Sequence, residues 1–265
     1  MANKLPTIVL VHGAFHVPAA YEPLTSILES SGYRVSAPHL PSTEDIPAIA
    51  SMDPDVETIR SAVLKELGDG QDVVMFLHSY GGVPGSEALR GLSKSDRKAS
   101  GEQTGVIAIV CGGANLLEEG EALSDHQVME PKVAQFYFEQ AMKDGDGYLR
   151  VSPEDAVSFF YGSQSPDVIS HVGKLLKPWA MGVSMTKTTY AAWRHIPTTY
   201  IFSTEDKSMI PESFERILGK KKVDGTTPAM EVVTLEGADH SPFLDRPDVV
   251  ANVIRRVAGE TEIAI

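Results

Sequence analysis

Three side chains, far apart along the chain, have the types needed for nucleophile, base and orienting acid. Ser79 lies in His78-Ser79-Tyr80-Gly81-Gly82, directly after the apolar run Val73-Val74-Met75-Phe76-Leu77. Asp206 lies in Ser203-Thr204-Glu205-Asp206-Lys207, and His240 in Gly237-Ala238-Asp239-His240-Ser241. A serine hydroxyl is a weak nucleophile near neutral pH and needs a base within hydrogen-bond reach. A neutral imidazole can take that proton and later return it to a leaving group. A carboxylate on the other ring nitrogen fixes the tautomer and stabilises the transient imidazolium. Such a set could carry acyl transfer through a serine-bound intermediate, and the oxyanion it would form needs donors aimed at it. One expected donor is the backbone N–H of Tyr80, the residue after the serine. The second is expected from the loop His12-Gly13-Ala14-Phe15, with Ala14 preferred and Phe15 next.

Each residue also has a plainer reading. Ser79 could be a helix N-cap, Asp206 a loop cap before Pro211, and His240 a donor to a loop carbonyl. Glu205 and Asp239 are rival acids, although adjacent side chains tend to point apart, which counts against Asp239. Joint occurrence in one order, each residue after a strand-like run, decides for Ser79, Asp206 and His240. His12 and His78 read as structural, bonding backbone near the site, while His16 could reach a pocket. His39, His126, His171 and His195 show no metal-ligand spacing, and no metal or cofactor is expected.

The elements that must hold these residues alternate between strand and helix. Thr7-Ile8-Val9-Leu10-Val11 is apolar on both faces, as a buried parallel strand would be. Pro18 to Ser31 reads as a helix stopped by Gly32, and Arg34-Val35-Ser36-Ala37-Pro38 as a second strand. Asp53, as N-cap, and Pro54 open a helix, with Val56, Ile59, Val63, Leu64 and Leu67 at helical spacing and Gly68 at its end. The strand before Ser79 follows, then a helix to about Arg90, a polar surface loop from Ser93 to Thr104, and a strand at Val106 to Val110. Thr198 to Phe202 and Glu231 to Leu235 are further strands, and Pro211 to Leu218 and Pro247 to Val257 further helices. Such alternation predicts an α/β fold, a mostly parallel sheet flanked by helices. Each candidate catalytic residue follows the carboxyl end of a strand, the edge where open α/β sheets bind ligands.

Between about Leu116 and Trp193 strand candidates disappear, and aromatic and methionine residues are frequent. This stretch reads as a helical cap over 116–195, inserted into a core made of 1–115 and 196–265. Most of its large apolar residues should be packing. Some must face the cleft, because ligand pockets are mainly apolar. Trp179, Met181 and Trp193 are the choices for substrate binding, together with Phe15 and His16.

Bulk properties narrow the function classes. The chain has 265 residues and a formal net charge of −13. A nucleic-acid partner would favour the opposite sign. The single cysteine, Cys111, rules out an intrachain disulfide and sits in an apolar run, where it reads as a small buried hydrophobe. No secretory signal pattern or membrane-length apolar stretch is visible, so the expectation is a cytoplasmic protein without a membrane partner. A homodimer is left open.

These segments resemble the α/β-hydrolase superfamily, and more narrowly the branch of plant methyl esterases, hydroxynitrile lyases and similar fungal and bacterial hydrolases. The carrying residues are Val11-His12-Gly13-Ala14, His78 to Gly82, Glu205 to Pro211 and Gly237 to His240, and the likeness in layout spans nearly the whole chain. The order serine, acid, histidine is that of the superfamily. Its usual elbow has glycine two residues before the serine; here Leu77 stands there, and a neighbouring strand is expected to make room for it. Lyases of this branch carry threonine after the first-strand histidine and lysine after the catalytic histidine. Here those positions are Gly13 and Ser241, which favours ester-type hydrolysis over cyanohydrin cleavage. Haloalkane dehalogenases and epoxide hydrolases of this fold use aspartate in place of Ser79. The resemblance therefore implies hydrolysis of a carboxylic ester or lactone, and the apolar cap suggests a small-to-medium, largely apolar or aromatic acyl part. Two alternatives stay open: a carbon–carbon bond hydrolase or lyase using the same triad, and a ligand receptor that keeps the pocket with residual activity.

Overall fold

The computed structural model describes residues 4–43, 47–126, 130–220, 230–261 and 263. Its centre is a six-stranded sheet of β1 (Thr7–Val11), β2 (Val35–Ser36), β3 (Val73–His78), β4 (Val106–Gly112), β7 (Thr198–Ser203) and β8 (Met230–Leu235), in the order β2-β1-β3-β4-β7-β8. Every neighbouring pair is parallel. β1 and β3 are buried at every position, as apolar strands covered on both faces must be. Cys111 lies fully buried in β4, paired with Leu77 of β3 on one side and Tyr200 of β7 on the other. The edge strand β8 is polar or half-exposed at its centre.

Helices cover both faces. α1 (Glu22–Ser30) and α10 (Pro247–Val257) pack against each other, as do α2 (Asp53–Gly68) and α3 (Gly82–Ala88). α2 shows why its sequence is helical. Asp53 and Asp55 occupy the first turn and Lys65 the last, which suits the helix dipole. Ile59, Val63 and Leu67 recur every fourth residue and are buried. Asp53 is itself the first helical residue, and the cap position falls on Met52.

Three local expectations are corrected. The polar stretch from Ser93 to Thr104 contains α4 (Lys94–Ala99), capped by Ser93 Oγ, which accepts from Asp96 N–H at 3.0 Å. No residue of α4 is buried, so there was no apolar period to read. The segment from Pro18 to Ser31 divides into a 3₁₀ turn, Pro18–Tyr21, and α1. β2 keeps only two residues of the five expected, at the sheet edge and short of Pro38.

Between β4 and β7 lie α5 (Pro131–Asp144), α6 (Pro153–Phe159) and α7 (Pro166–Gly173). A two-residue antiparallel pair, β5 (Tyr148–Leu149) with β6 (Trp179–Ala180), also lies here, too short to leave a sequence signal. Buried apolar residues of this segment, such as Tyr148, Phe160 and Trp179, belong to the same continuous cluster as the sheet core. α8 (Pro211–Lys220) and the short α9 (Pro242–Asp245) complete the elements. Among the described residues, no helix is long and apolar enough to cross a membrane.

Candidate active site

The site lies at the carboxyl edge of the sheet, where β1 sends the chain one way to β2 and β3 lies on its other side. Such a switch point opens a crevice between loops. Ser79 stands directly after β3 with φ = +51°, a conformation disfavoured for any residue with a Cβ. Strain of this kind costs about 1–3 kcal/mol and persists where the surroundings enforce it. Here the turn is crowded on both sides. A Cβ on Gly81 would lie 2.6 Å from the His12 carbonyl oxygen, so only glycine lets the turn pass β1 so closely. Leu77 is accommodated by the next helix rather than by a strand: a Cβ on Gly85 of α3 would lie 2.6 Å from Leu77 Cδ2. The glycine missing before the serine is replaced by one after it.

The three loops meet. His240 Nε2 lies 2.9 Å from Ser79 Oγ, and His240 Nδ1 lies 2.8 Å from Asp206 Oδ2. A carboxylate can only accept, so Nδ1 carries the proton and Nε2 is free to accept from the serine hydroxyl. The other carboxylate oxygen accepts from the N–H groups of Ser208 and Met209 at 2.8 and 2.7 Å. Asp206 is therefore fixed from both sides. Glu205 is exposed, and Asp239 accepts from the N–H of Ser241 at 2.8 Å and of Ser163 at 3.0 Å. Neither rival acid is placed to orient His240.

Behind these three residues, a chain of neutral groups links the first-strand loop to the histidine loop. Gly13 N–H donates to Tyr21 Oη at 3.0 Å, Tyr21 O–H donates to His78 Nδ1 at 2.7 Å, and His78 Nε2–H donates to the His240 carbonyl at 2.9 Å. Burial holds His78 far below the usual imidazole range. His12 accepts from Leu40 N–H and donates to the Gly13 carbonyl, and burial pushes its pKa down to about 3.

A cavity of about 450 Å³ opens over Ser79. Ala14, Tyr80, Phe15, His16, Trp179 and Met181 all line it. His16 contributes ring carbons more than hydrogen bonds: Nδ1 donates to the Ala14 carbonyl at 2.8 Å, and Nε2 accepts from Tyr161 O–H at 2.8 Å. Burial lowers its pKa to about 4. Phe15 has φ = +63° and stacks with Tyr137 and Phe160. Trp193 does not reach the cavity. Its indole N–H donates to the Leu117 carbonyl at 3.0 Å and Arg194 covers its ring, so it packs the base of the segment.

Other lining residues were not singled out in the sequence. Asn115 follows the end of β4 and holds the Ser79 carbonyl through its own N–H at 3.0 Å. Its place just past a strand's carboxyl end was the available signal. Tyr137 and Phe160 were visible only as members of an aromatic-rich stretch, and nothing in that stretch says which ring faces inward.

Comparison with known proteins agrees with this geometry. A family model described as the alpha/beta hydrolase family matches residues 8–253. An alpha/beta hydrolase of Aspergillus novofumigatus is 31% identical over 96% of this chain and 97% of its own length. Methyl jasmonate esterase 1 of Vitis vinifera is 25% identical over 93% of this chain and 94% of its own. The crystal structure of an Arabidopsis methylesterase superposes with a TM-score of 0.69 at 20% identity, covering 96% of this chain and 99% of that one. The chain belongs to the α/β-hydrolase family.

Proposed function

We propose that the protein is a serine hydrolase that cleaves a neutral carboxylic ester or lactone through an acyl-enzyme at Ser79. The observation that carries this reading is the continuous hydrogen-bonded line from Asp206 through His240 to Ser79. His240 Nε2 takes the hydroxyl proton as Ser79 Oγ attacks the carbonyl carbon. The tetrahedral oxyanion is received by the N–H groups of Tyr80 and Ala14. The imidazolium, held by Asp206, returns the proton to the leaving alcohol as the carbon–oxygen bond breaks. Water then repeats the sequence and frees Ser79.

The cavity supports the substrate class. Its walls are mainly aromatic and aliphatic, and among the described residues no Lys, Arg, Asp or Glu lines it. A charged substrate would enter with no counter-charge, a loss that burial makes severe. The segment between β4 and β7, read as a cap, supplies much of this wall, including Tyr137, Leu149, Phe160 and Trp179. The likeness to a methyl jasmonate esterase supports an ester substrate. Lyase chemistry is disfavoured locally. A Cβ at Gly13 would lie 2.8 Å from His78 Nδ1 and 2.9 Å from Ser79 Cβ, so the threonine of the lyases has no room.

The test is fluorophosphonate labelling of the wild type and Ser79→Ala, followed by a screen of aryl esters and lactones. Labelling and turnover should be confined to the wild type. Full ester turnover by Ser79→Ala would falsify the assignment.

A further inference from the structure

The residue after the nucleophile carries a side chain with an unusual attachment. Tyr80 lines the cavity, yet it is only 2% exposed, and its ring packs edge-on against Trp179 at 5.0 Å. Its hydroxyl points away from the chemistry and donates to Asp55 Oδ2 at 2.7 Å. Asp55 is completely buried in the first turn of α2, and its Oδ1 accepts from Ser42 N–H at 2.9 Å. A buried carboxylate is tolerable when it is hydrogen-bonded. The first turn of a helix adds a favourable dipole. An O–H to carboxylate bond of this length is of the strong, charge-assisted kind. Together, burial and the Asp55 carboxylate hold the Tyr80 phenol well above its ordinary range, so it remains a donor.

We propose that Asp55 is a positioning residue for the oxyanion site and acts through the side chain of Tyr80. The inference rests on the hydrolase reading above, in which the Tyr80 N–H receives the oxyanion. That N–H belongs to the peptide joining Tyr80 to Ser79, and Ser79 is held at φ = +51°. Anchoring the far end of Tyr80 on α2 resists rotation of this peptide toward a relaxed turn. The same anchor fixes the ring against which Trp179 packs. Asp55 touches no reacting atom; its effect is on where one donor points.

Two conservative variants test this. Tyr80→Phe removes one oxygen and keeps the ring against Trp179. Asp55→Asn keeps the shape and removes the charge that strengthens the bond. Each is compared with the wild type for kcat and KM on an aryl ester that the wild type hydrolyses. Each is also compared for affinity toward an aryl trifluoromethyl ketone, whose adduct with Ser79 places an oxyanion in the site. Complete loss of an oxyanion donor typically lowers rate by about 10²–10³, so misaiming one should lower kcat about 10-fold in Tyr80→Phe, with KM nearly unchanged. Ketone affinity should fall by the same factor as kcat/KM, and Asp55→Asn should move both in the same direction by less. A merely structural role would lower thermal stability and leave the ketone and kcat values of the folded protein alone. That result, or wild-type kinetics in both variants, overturns the inference while ester hydrolysis by the wild type stands. If only Tyr80→Phe fails to fold, Asp55→Asn decides. Failure of both to fold would make the pair structural and also overturn it. A wild type inert to ester and ketone alike sinks the hydrolase reading and this inference with it.

Discussion

The floor and the roof of the cavity are built differently. The floor is the carboxyl edge of the sheet, where short loops after β1, β3, β7 and β8 are pinned by backbone hydrogen bonds and crowded glycines. The roof is the segment between β4 and β7, made of short helices and a two-residue strand pair. Several polar contacts join the roof to the floor, among them Tyr161 O–H on His16, Ser208 O–H on the Phe159 carbonyl, and Ser163 N–H on Asp239. These three bonds bring residues 159–163 against the first-strand loop, the acid loop and the histidine loop. On the proposed function, the floor sets which bonds can be made and broken, and the roof sets what may enter. Changes in the floor should therefore alter kcat, and changes in the roof should alter substrate choice.

The largest effect separates the two most sharply. Asp206→Asn should keep the fold and lower kcat by about 10⁴, because the amide can donate to Nδ1 and stabilise the wrong tautomer. Trp179→Ala in the roof should leave kcat on a small aryl ester within about tenfold and instead raise KM for bulky esters, as lost apolar contact in a pocket is worth about 1–3 kcal/mol. Steady-state kinetics on a small and a bulky ester measure both. Equal losses of kcat in the two variants would erase the distinction.

The same division explains what could be read from the sequence. β1, β3, β7 and β8 and the helices α2 and α10 were legible because burial imposes period and strand ends carry the chemistry. Ser79, Asp206 and His240 stood out for a related reason: each follows a strand-like run, wholly apolar before Ser79 and mixed before Asp206 and His240. The roof was legible only in composition. Its helices are short, and α5 leaves Met142 exposed while Tyr137 and Phe138 of the same aromatic-rich stretch line the cavity. Trp193 shows the limit. An indole packed under Arg194 has the same one-letter signature as one facing a ligand. The compensation of Leu77 by Gly85 was hidden because it depends on a close approach between a strand and the helix that follows it.

The floor should also be the acid-sensitive part. Burial holds His12 and His16 at folded pKa values near 3 and 4, and holds His78 well below the usual imidazole range. All three are lower than in an unfolded chain, so as pH falls below about 6.5 the unfolded state binds protons that the folded state refuses. Their contribution is fully present above about pH 6.5 and is lost as pH falls toward the folded values. Near pH 5 His12 and His16 alone should remove about 2–3 kcal/mol of stability per pH unit, and His78 acts in the same direction. Chemical denaturation at several pH values measures this slope. His16→Gln should flatten it by about 1 kcal/mol per pH unit. An unchanged slope would mean His16 is not held neutral. Next in size is the elbow. Gly85→Ala places a Cβ against Leu77, and overpacking of this kind costs about 1–3 kcal/mol. Gly85→Ala should cost less in a Leu77→Ala background than in the wild type, and additivity of the two changes would disprove the compensation.

The smallest expected effect lies on the seam between roof and floor. Tyr161→Phe keeps the buried ring and deletes only the donor to His16 Nε2. A single neutral hydrogen bond is worth about 0.5–1.5 kcal/mol net, so stability should fall by about 1 kcal/mol. The kinetic signature matters more than the size. His16 holds the Ala14 carbonyl through Nδ1, and Ala14 belongs to the loop assigned to the oxyanion. If the seam transmits roof position to the floor, kcat should fall severalfold for every ester, small or bulky. If the seam only fastens the roof, KM for bulky esters should rise while kcat on a small ester stays fixed. The second outcome is the one the division predicts, because Ala14 is already held from below: the Gly13 N–H beside it is fixed by Tyr21. A uniform fall in kcat would show that floor and roof work as one unit.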